Sequence, residues 1–257
     1  MLDLILTCRT FGGIENIKYR IFKDLPNRLT FEGDLHPVPF QWSGDQHDGF
    51  IEPHSAMLIP VKVAAMKNLF CMQLDTGAPS TFLRSGALQE LRNQGVDFEL
   101  TKEGERTSVQ TFGLNVEDNR VKLSSDSVMG SDAHFAWNNP AAINVIGSFG
   151  ADFIDRKVCE IDFPALQIRL HKSRPIEMKS LGACKPFKFN GRRILLPAKI
   201  NGIQMELFYD LGCSAFSLLT SEYHIERYAD QDSTEISYNA NRHGDPVSFT
   251  TDYVRCW

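Results

Sequence analysis

The segment "CMQLDTGAPSTFL", residues 71–83, carries an aspartate from an apolar run into a turn of small residues. Asp75 follows Leu74 directly, and the chain becomes apolar again within a few residues. Ionising a carboxylate at the end of a buried strand is costly unless the carboxylate has a partner. The segment is therefore either an ordinary turn that contains Asp or a site built around Asp75.

An internal repeat bears on this choice. "LIPVKV" at 58–63 recurs as "LLPAKI" at 195–200, and each copy leads through a second apolar run to an aspartate, Asp75 or Asp210. In both copies the spacing predicts a β-hairpin that ends at the aspartate. A short helix is expected after each, around 85–94 and 220–228. The repeat predicts two similar lobes.

In both copies a glycine lies two positions after the aspartate, and a small residue follows the glycine. These residues are Gly77 and Ala78 in the first copy and Gly212 and Cys213 in the second. A lone aspartate here usually stabilises a turn. Two that are related by duplication can meet about a pseudo-twofold axis, where like charges share one proton. Such a pair supplies an acid and a base that can activate a water. Glycines allow the two turns to touch.

The first turn resembles the active-site turn of retropepsin-type and pepsin-type aspartic peptidases, through Leu74, Asp75, Thr76, Gly77 and Ala78. Alanine in the fourth position is closer to the retropepsin version. "NVIGSFGADFI", residues 144–154, is similar to the apolar-apolar-Gly segment that supports the catalytic turn in this family. The resemblance extends over residues 56–172 and covers the second lobe in part, from about residue 194.

This resemblance implies a mostly β fold with two pseudo-symmetric aspartic-peptidase β-barrel lobes and short helices. The expected division is an N-terminal extension at 1–55, a first lobe at 56–173 and a partial second lobe at 174–257. The implied activity is that of an aspartic endopeptidase acting on peptides or proteins, without a cofactor or metal. The implied catalytic residues are Asp75 and Asp210; the residues implied to support the turns are Thr76, Gly77, Ala78, Gly212, Ile146 and Gly147. A flap over the cleft is expected in "ELTKEGERTSV", residues 99–109.

The second copy departs from the family pattern. Family members usually carry Thr or Ser after each aspartate, and its hydroxyl bonds to the opposite turn. Thr76 can make this bond, whereas Leu211 cannot. The missing bond should cost about 1 kcal/mol, or less if Leu211 packs well. Cys213 makes the two halves chemically different as well.

The chain stops forty-seven residues after Asp210, before a counterpart of Ile146-Gly147 could occur. We therefore expect a fragment or the product of a shortened gene. Two alternatives to the in-chain dyad follow. One is a homodimer that pairs Asp75 of two chains, and the other is an inactive peptide-binding protein with the peptidase fold.

Composition narrows the remaining classes of function. A net charge of -5 gives no electrostatic reason to expect nucleic acid as a partner, and Arg192-Arg193 is expected to be a solvated turn. No apolar stretch approaches the ~20 residues that span a bilayer. The 6 cysteines are dispersed and the 7 histidines lack metal-ligand spacing, which argues against a disulfide framework and a zinc site. These features favour the cytoplasm.

Overall fold

The computed structural model describes most of the chain between residues 25 and 252. The described residues are 25, 27–47, 50–64, 66–103, 106–125, 128–129, 135–139, 141–176, 186–200, 202–214, 218, 235–242 and 245–252. Within them the protein is mostly β, with eighteen strands and one α-helix. The predicted mostly β class is confirmed. The helix expected around 220–228 and the turn at Gly104 lie outside the described residues.

A six-stranded sheet carries the first aspartate. Its strands are β3 (Gln41–His47), β4 (Phe50–Val61), β5 (Phe70–Leu74), β6 (Phe82–Arg84), β10 (Val128–Met129) and β11 (Asn144–Phe149), in the order β10-β6-β11-β5-β4-β3. The predicted hairpin is confirmed, because β4 pairs antiparallel with β5. β11 lies between β5 and β6, parallel to β5 and antiparallel to β6. The strand that leads to Asp75, β5, therefore has a paired strand on each side.

The helix α1 (Ser85–Asn93) follows β6 and agrees with the predicted helix at 85–94. It buries Ala87, Leu88 and Leu91 on one face, as their spacing predicts for an amphipathic helix. Gly95 ends it at φ +84, where glycine avoids the strain of a side chain. In the described part of the chain, no helix is long and apolar enough to cross a membrane.

Two further sheets include strands that precede residue 55. One contains β1 (Leu29–Glu32), β7 (Leu100–Glu103), β8 (Arg106–Val116) and β9 (Asn119–Ser125), in the order β1-β9-β8-β7; the other contains β2 (Val38–Pro39), β12 (Val158–Asp162) and β13 (Gln167–His171), in the order β12-β13-β2. β1 and β2 thus pair with strands from the predicted first lobe, and β4 runs through the proposed boundary at residue 55. The segment proposed as a flap forms the antiparallel pair β7–β8.

The second copy of the repeat forms a three-stranded sheet of β14 (Lys188–Asn190), β15 (Arg193–Ile200) and β16 (Ile203–Phe208). The second predicted hairpin is confirmed, because β15 pairs antiparallel with β16. β17 (Glu235–Arg242) and β18 (Asp245–Asp252) form a separate antiparallel pair. None of the five sheets closes into a barrel within the described residues. The barrel form of the lobes stays a prediction.

One apolar core lies beneath the first aspartate and extends to the second. Phe70, Leu74 and Phe149 are fully buried in it, and Leu211 from the second copy is 5% exposed in the same cluster. Burying apolar side chains is the main favourable contribution to folding. The two copies of the repeat are therefore packed together at their aspartate turns.

Candidate active site

The first aspartate turn, residues 75–78, begins where β5 ends. The backbone N–H of Asp75 donates to the carbonyl of Phe149 on β11 at 2.9 Å, which fixes the start of the turn. Oδ1 of Asp75 accepts hydrogen bonds from the N–H groups of Gly77 at 2.9 Å and Ala78 at 3.0 Å. The carboxyl group therefore lies over its own turn, and the residue remains partly exposed.

The second aspartate turn, residues 210–213, repeats this geometry after β16. Oδ1 of Asp210 accepts from the N–H of Gly212 at 2.8 Å. The same oxygen accepts from the N–H of Gly77, across the junction, at 3.1 Å. Gly77 therefore donates to both carboxyl groups. The structure brings Asp75 and Asp210 together as the repeat predicts.

The two glycines are required by close approach. A Cβ placed on Gly77 would lie 2.6 Å from Cγ of Asp210, and a Cβ on Gly212 would lie 2.6 Å from Cγ of Asp75. Real Cβ contacts are essentially never under 3.0 Å. The reciprocal contact shows that each glycine faces the aspartate of the other turn. A side chain at either position would displace the carboxyl group of the opposite aspartate.

Thr76 joins the two turns through its hydroxyl. Oγ1 donates to the carbonyl of Tyr209 at 2.9 Å and accepts from the N–H of Leu211 at 2.9 Å. Thr76 is buried, so these bonds are shielded from water. The bond across the junction that the sequence predicts for Thr76 is present. Leu211 packs into the core instead of bonding back.

Two other hydrogen bonds hold the second turn where the reciprocal hydroxyl is missing. Gln73, on β5, donates from Nε2 to the carbonyl of Gly212 at 3.2 Å. Ser214 donates from Oγ to the carbonyl of Ser55 on β4 at 2.8 Å. Both bonds link the second turn to the sheet that carries Asp75. They use other groups than the reciprocal hydroxyl bond would use.

Ile146 and Gly147, which the sequence analysis assigns to turn support, lie in β11. Ile146 is buried in the core. A Cβ on Gly147 would lie 3.0 Å from Cα of Leu83, so glycine allows β11 to pack closely against β6. Their support for the first turn therefore runs through the sheet.

Direct support comes from Gly150–Asp152, which the sequence analysis did not assign. Ala151 donates its N–H to the carbonyl of Ala78 at 2.7 Å. Asp152 accepts at Oδ1 from the N–H and the hydroxyl of Thr81, at 2.9 and 2.7 Å. That hydroxyl also accepts from the N–H of Gly150 at 3.1 Å. The sequence signal that could have indicated this support is a second apolar-Gly pair, Phe149-Gly150, which repeats Ile146-Gly147 three residues later.

The surroundings of Asp75 favour its protonated form. Burial raises the pKa of its carboxyl group most, and the nearby Asp210 raises it further. Hydrogen bonds from the N–H groups of Ala78 and Gly77 lower the same pKa and partly offset these effects. A raised pKa keeps the Asp75 carboxyl group protonated to a higher pH than an ordinary aspartate. Asp75 is therefore suited to be the acid of the pair.

Metal-dependent and thiol-based chemistry have less structural support at this site than acid–base chemistry by the two aspartates. Among the described residues, no cluster of His, Cys, Asp or Glu could hold a metal ion. Burial raises the pKa of the Cys71 thiol to about 11, so the thiol stays protonated and is a poor nucleophile near neutral pH. The two aspartates are the groups with suitable geometry for acid–base chemistry.

Comparisons with known proteins do not assign the chain to a family. No protein-family model matches it, and the search found no significant match among curated proteins or solved structures.

Proposed function

We propose that the protein is an aspartic endopeptidase in which Asp75 and Asp210 activate a water for attack on a peptide bond. The observation that carries the proposal is that the N–H of Gly77 bonds to both carboxyl groups, which places them next to each other. Both aspartates are partly exposed, so water and substrate can reach them. On this proposal, the two copies of the repeat belong to two aspartic-peptidase lobes.

The proton positions follow from the surroundings of the pair. Asp75 carries the shared proton because its pKa is raised, and Asp210 is the base. Asp210 takes a proton from water while Asp75 donates its proton to the carbonyl oxygen, as the water oxygen bonds to the carbonyl carbon. The proton held by Asp210 then passes to the leaving amine as the C–N bond breaks, and Asp75 recovers a proton from the diol. At the end Asp75 is protonated and Asp210 is ionised again, as at the start of the reaction.

Incubation with a peptide library at acidic pH tests this proposal. We expect cleavage that pepstatin inhibits and that Asp75→Asn abolishes, because Asn cannot transfer the proton. Gly113→Ala is a suitable control, since a Cβ there would meet nothing within 4 Å. Undiminished turnover by Asp75→Asn would refute the proposal.

The same assay separates an in-chain dyad from a homodimer that uses Asp75 twice. The contact between Gly77 and Asp210 supports the in-chain pair. Asp210→Asn alone should then abolish cleavage. If Asp210→Asn leaves cleavage intact, the homodimer explains the activity.

A second candidate is a peptide-binding protein without turnover. Leu211 favours it, because one of the two hydroxyls expected between the turns is absent and the second turn is held by Gln73 and Ser214 instead. This candidate predicts that peptides bind beside the aspartate pair and are released uncut. Turnover that depends on Asp75 would exclude it.

A further inference from the structure

Arg192 is a buried arginine at the turn between β14 and β15. It is 0% exposed and adopts φ 62, next to Gly191 at φ 54. The expected solvated turn at Arg192-Arg193 is therefore wrong for Arg192. Arginines are almost never fully buried without partners, and few residues other than glycine adopt positive φ. The surrounding contacts must offset both costs.

A buried carboxylate neutralises the Arg192 side chain. Its Nε and Nη2 lie 3.0 and 2.9 Å from Oδ2 of Asp155, which is 2% exposed. Asp155 belongs to the first half of the chain, and its N–H donates to the carbonyl of Ala151 at 3.0 Å. Ala151 in turn contacts the first aspartate turn. The ion pair thus joins the second copy of the repeat to the segment that supports Asp75.

The guanidinium also donates hydrogen bonds to the residues that directly follow the first turn. Nη1 donates to the carbonyl of Pro79 at 3.1 Å and to Oγ of Ser80 at 3.3 Å. Nη2 donates to the carbonyl of Leu25 at 3.3 Å. A planar guanidinium can direct several N–H groups at fixed angles, which an ammonium group cannot. Arg192 therefore fixes residues 79–80 and Asp155 relative to each other.

The contact between Arg192 and Pro79 has a counterpart at the equivalent positions of the repeat. Arg192 lies three residues before Leu195, and Ser55 lies three residues before Leu58, the equivalent position. Arg192 bonds to the residue four positions after Asp75, and the carbonyl of Ser55 accepts from Ser214, four positions after Asp210. Each copy thus holds the opposite turn from the same place. Only the contact to the first turn uses a buried charge.

We propose that Arg192 is a positioning residue that holds the Asp75 turn from the opposite copy of the repeat, so that Asp75 faces Asp210. This inference rests on the proposed peptidase function for its kinetic consequence. Arg192 bonds to Pro79 and Ser80, which directly follow the first turn, so it acts on Asp75 through the chain that leaves the turn.

The test uses the double variant Arg192→Asn with Asp155→Asn. Asn tolerates positive φ, and replacing both partners leaves no unpaired buried charge. We expect kcat to fall about 10- to 100-fold with little change in KM, because a small displacement of a catalytic group has effects of this size. Arg169→Met is the matched control, since Arg169 pairs with Glu160 at 3.1 Å in a partly exposed ion pair. It should retain the wild-type kcat.

A second measurement does not require activity. Carbon-13 NMR can follow the titration of the Asp75 carboxyl, assigned by its loss in Asp75→Asn. In the double variant we expect the midpoint to move towards the ordinary carboxyl value, because a displaced turn leaves Asp75 less buried and further from Asp210. If the double variant does not fold, Arg192→Lys, which keeps the charge but not the fork, is titrated instead.

The outcomes separate the two proposals. A folded variant with wild-type kcat and an unchanged Asp75 titration would overturn the role of Arg192. If the wild-type chain cleaves no peptide, the proposed function fails, but the titration still decides whether Arg192 positions the turn. A shifted titration then supports the positioning role alone.

Discussion

The N–H of Gly77 lies 3.1 Å from Oδ1 of Asp210, although the two residues are 133 positions apart in the chain. The same N–H is 2.9 Å from Oδ1 of Asp75. One donor therefore sets the distance between the two carboxyl groups. The space beside it must stay free of any side chain, and this requirement gives the first prediction.

Gly77→Ala should displace the carboxyl group of Asp210, because its Cβ would meet that group. We expect a loss of about 1–3 kcal/mol in the free energy of unfolding from overpacking. Peptide cleavage should fall about 100-fold or more, since the reacting groups would be displaced. Denaturant titration and the cleavage assay measure the two effects. Gly113→Ala, which meets open space, should change neither; equal behaviour of the two variants would contradict the close approach.

Thr76→Val should weaken the junction between the turns. It removes the hydroxyl that bonds to Tyr209 and Leu211 and leaves the part-buried carbonyl of Tyr209 and the buried N–H of Leu211 without that partner. Such a loss costs about 1–3 kcal/mol. Thr76→Ser keeps the hydroxyl and should recover most of the stability in the same denaturation experiment. A Val variant as stable as the Ser variant would mean that the hydroxyl contributes little.

The raised pKa of Asp75 predicts a pH-dependent stability. A carboxyl whose folded-state pKa is raised stabilises the fold below its ordinary pKa of 3.8, and this contribution is lost as the pH rises through the folded-state value. Asp75→Asn carries no charge at any pH, so it should match the wild type at about pH 3 and have a Tm a few degrees higher at about pH 7. Calorimetry at both pH values measures this difference. A lower Tm for the variant at neutral pH would contradict it.

Much of this arrangement can be predicted from the sequence because it depends on local pattern and duplication. Alternation and turn residues mark the hairpins β4–β5 and β15–β16, and helical spacing marks α1. The meeting of Asp75 with Asp210 follows from the repeat, since related segments can pack about a twofold axis. The repeat also predicts the glycine two positions after each aspartate, because turns that meet closely leave no room for a side chain there.

The contacts that sequence reasoning misses are those made over long distances by single side chains. The sequence around Arg192 is typical of a polar turn. The fold is needed to show that its buried side chain bonds to Asp155 and Pro79. The same holds for Thr81 and Asp152, which are 71 positions apart. No periodicity links such pairs. Strand order must be known before they can be recognised.

Asp152 gives the last prediction, because it anchors the first turn without touching the aspartate pair. Its Oδ1 accepts both the N–H and the hydroxyl of Thr81, and the residue is fully buried. Asp152→Ala removes this acceptor and leaves two buried donors without it. We expect a loss of about 1–3 kcal/mol in the free energy of unfolding.

Asp152→Asn is the matched variant, since its Oδ1 can accept the same two hydrogen bonds. Burial raises the pKa of the Asp152 carboxyl, so the neutral amide also avoids the cost of a buried charge. In denaturant titrations near neutral pH, the Asn variant should therefore be more stable than the Ala variant, although its amide N–H₂ replaces a buried Oδ2 that has no hydrogen-bond partner among the described residues. If Asn and Ala are equally destabilising, the acceptor at Oδ1 is not what holds the turn, and the charge of Asp152 must contribute instead.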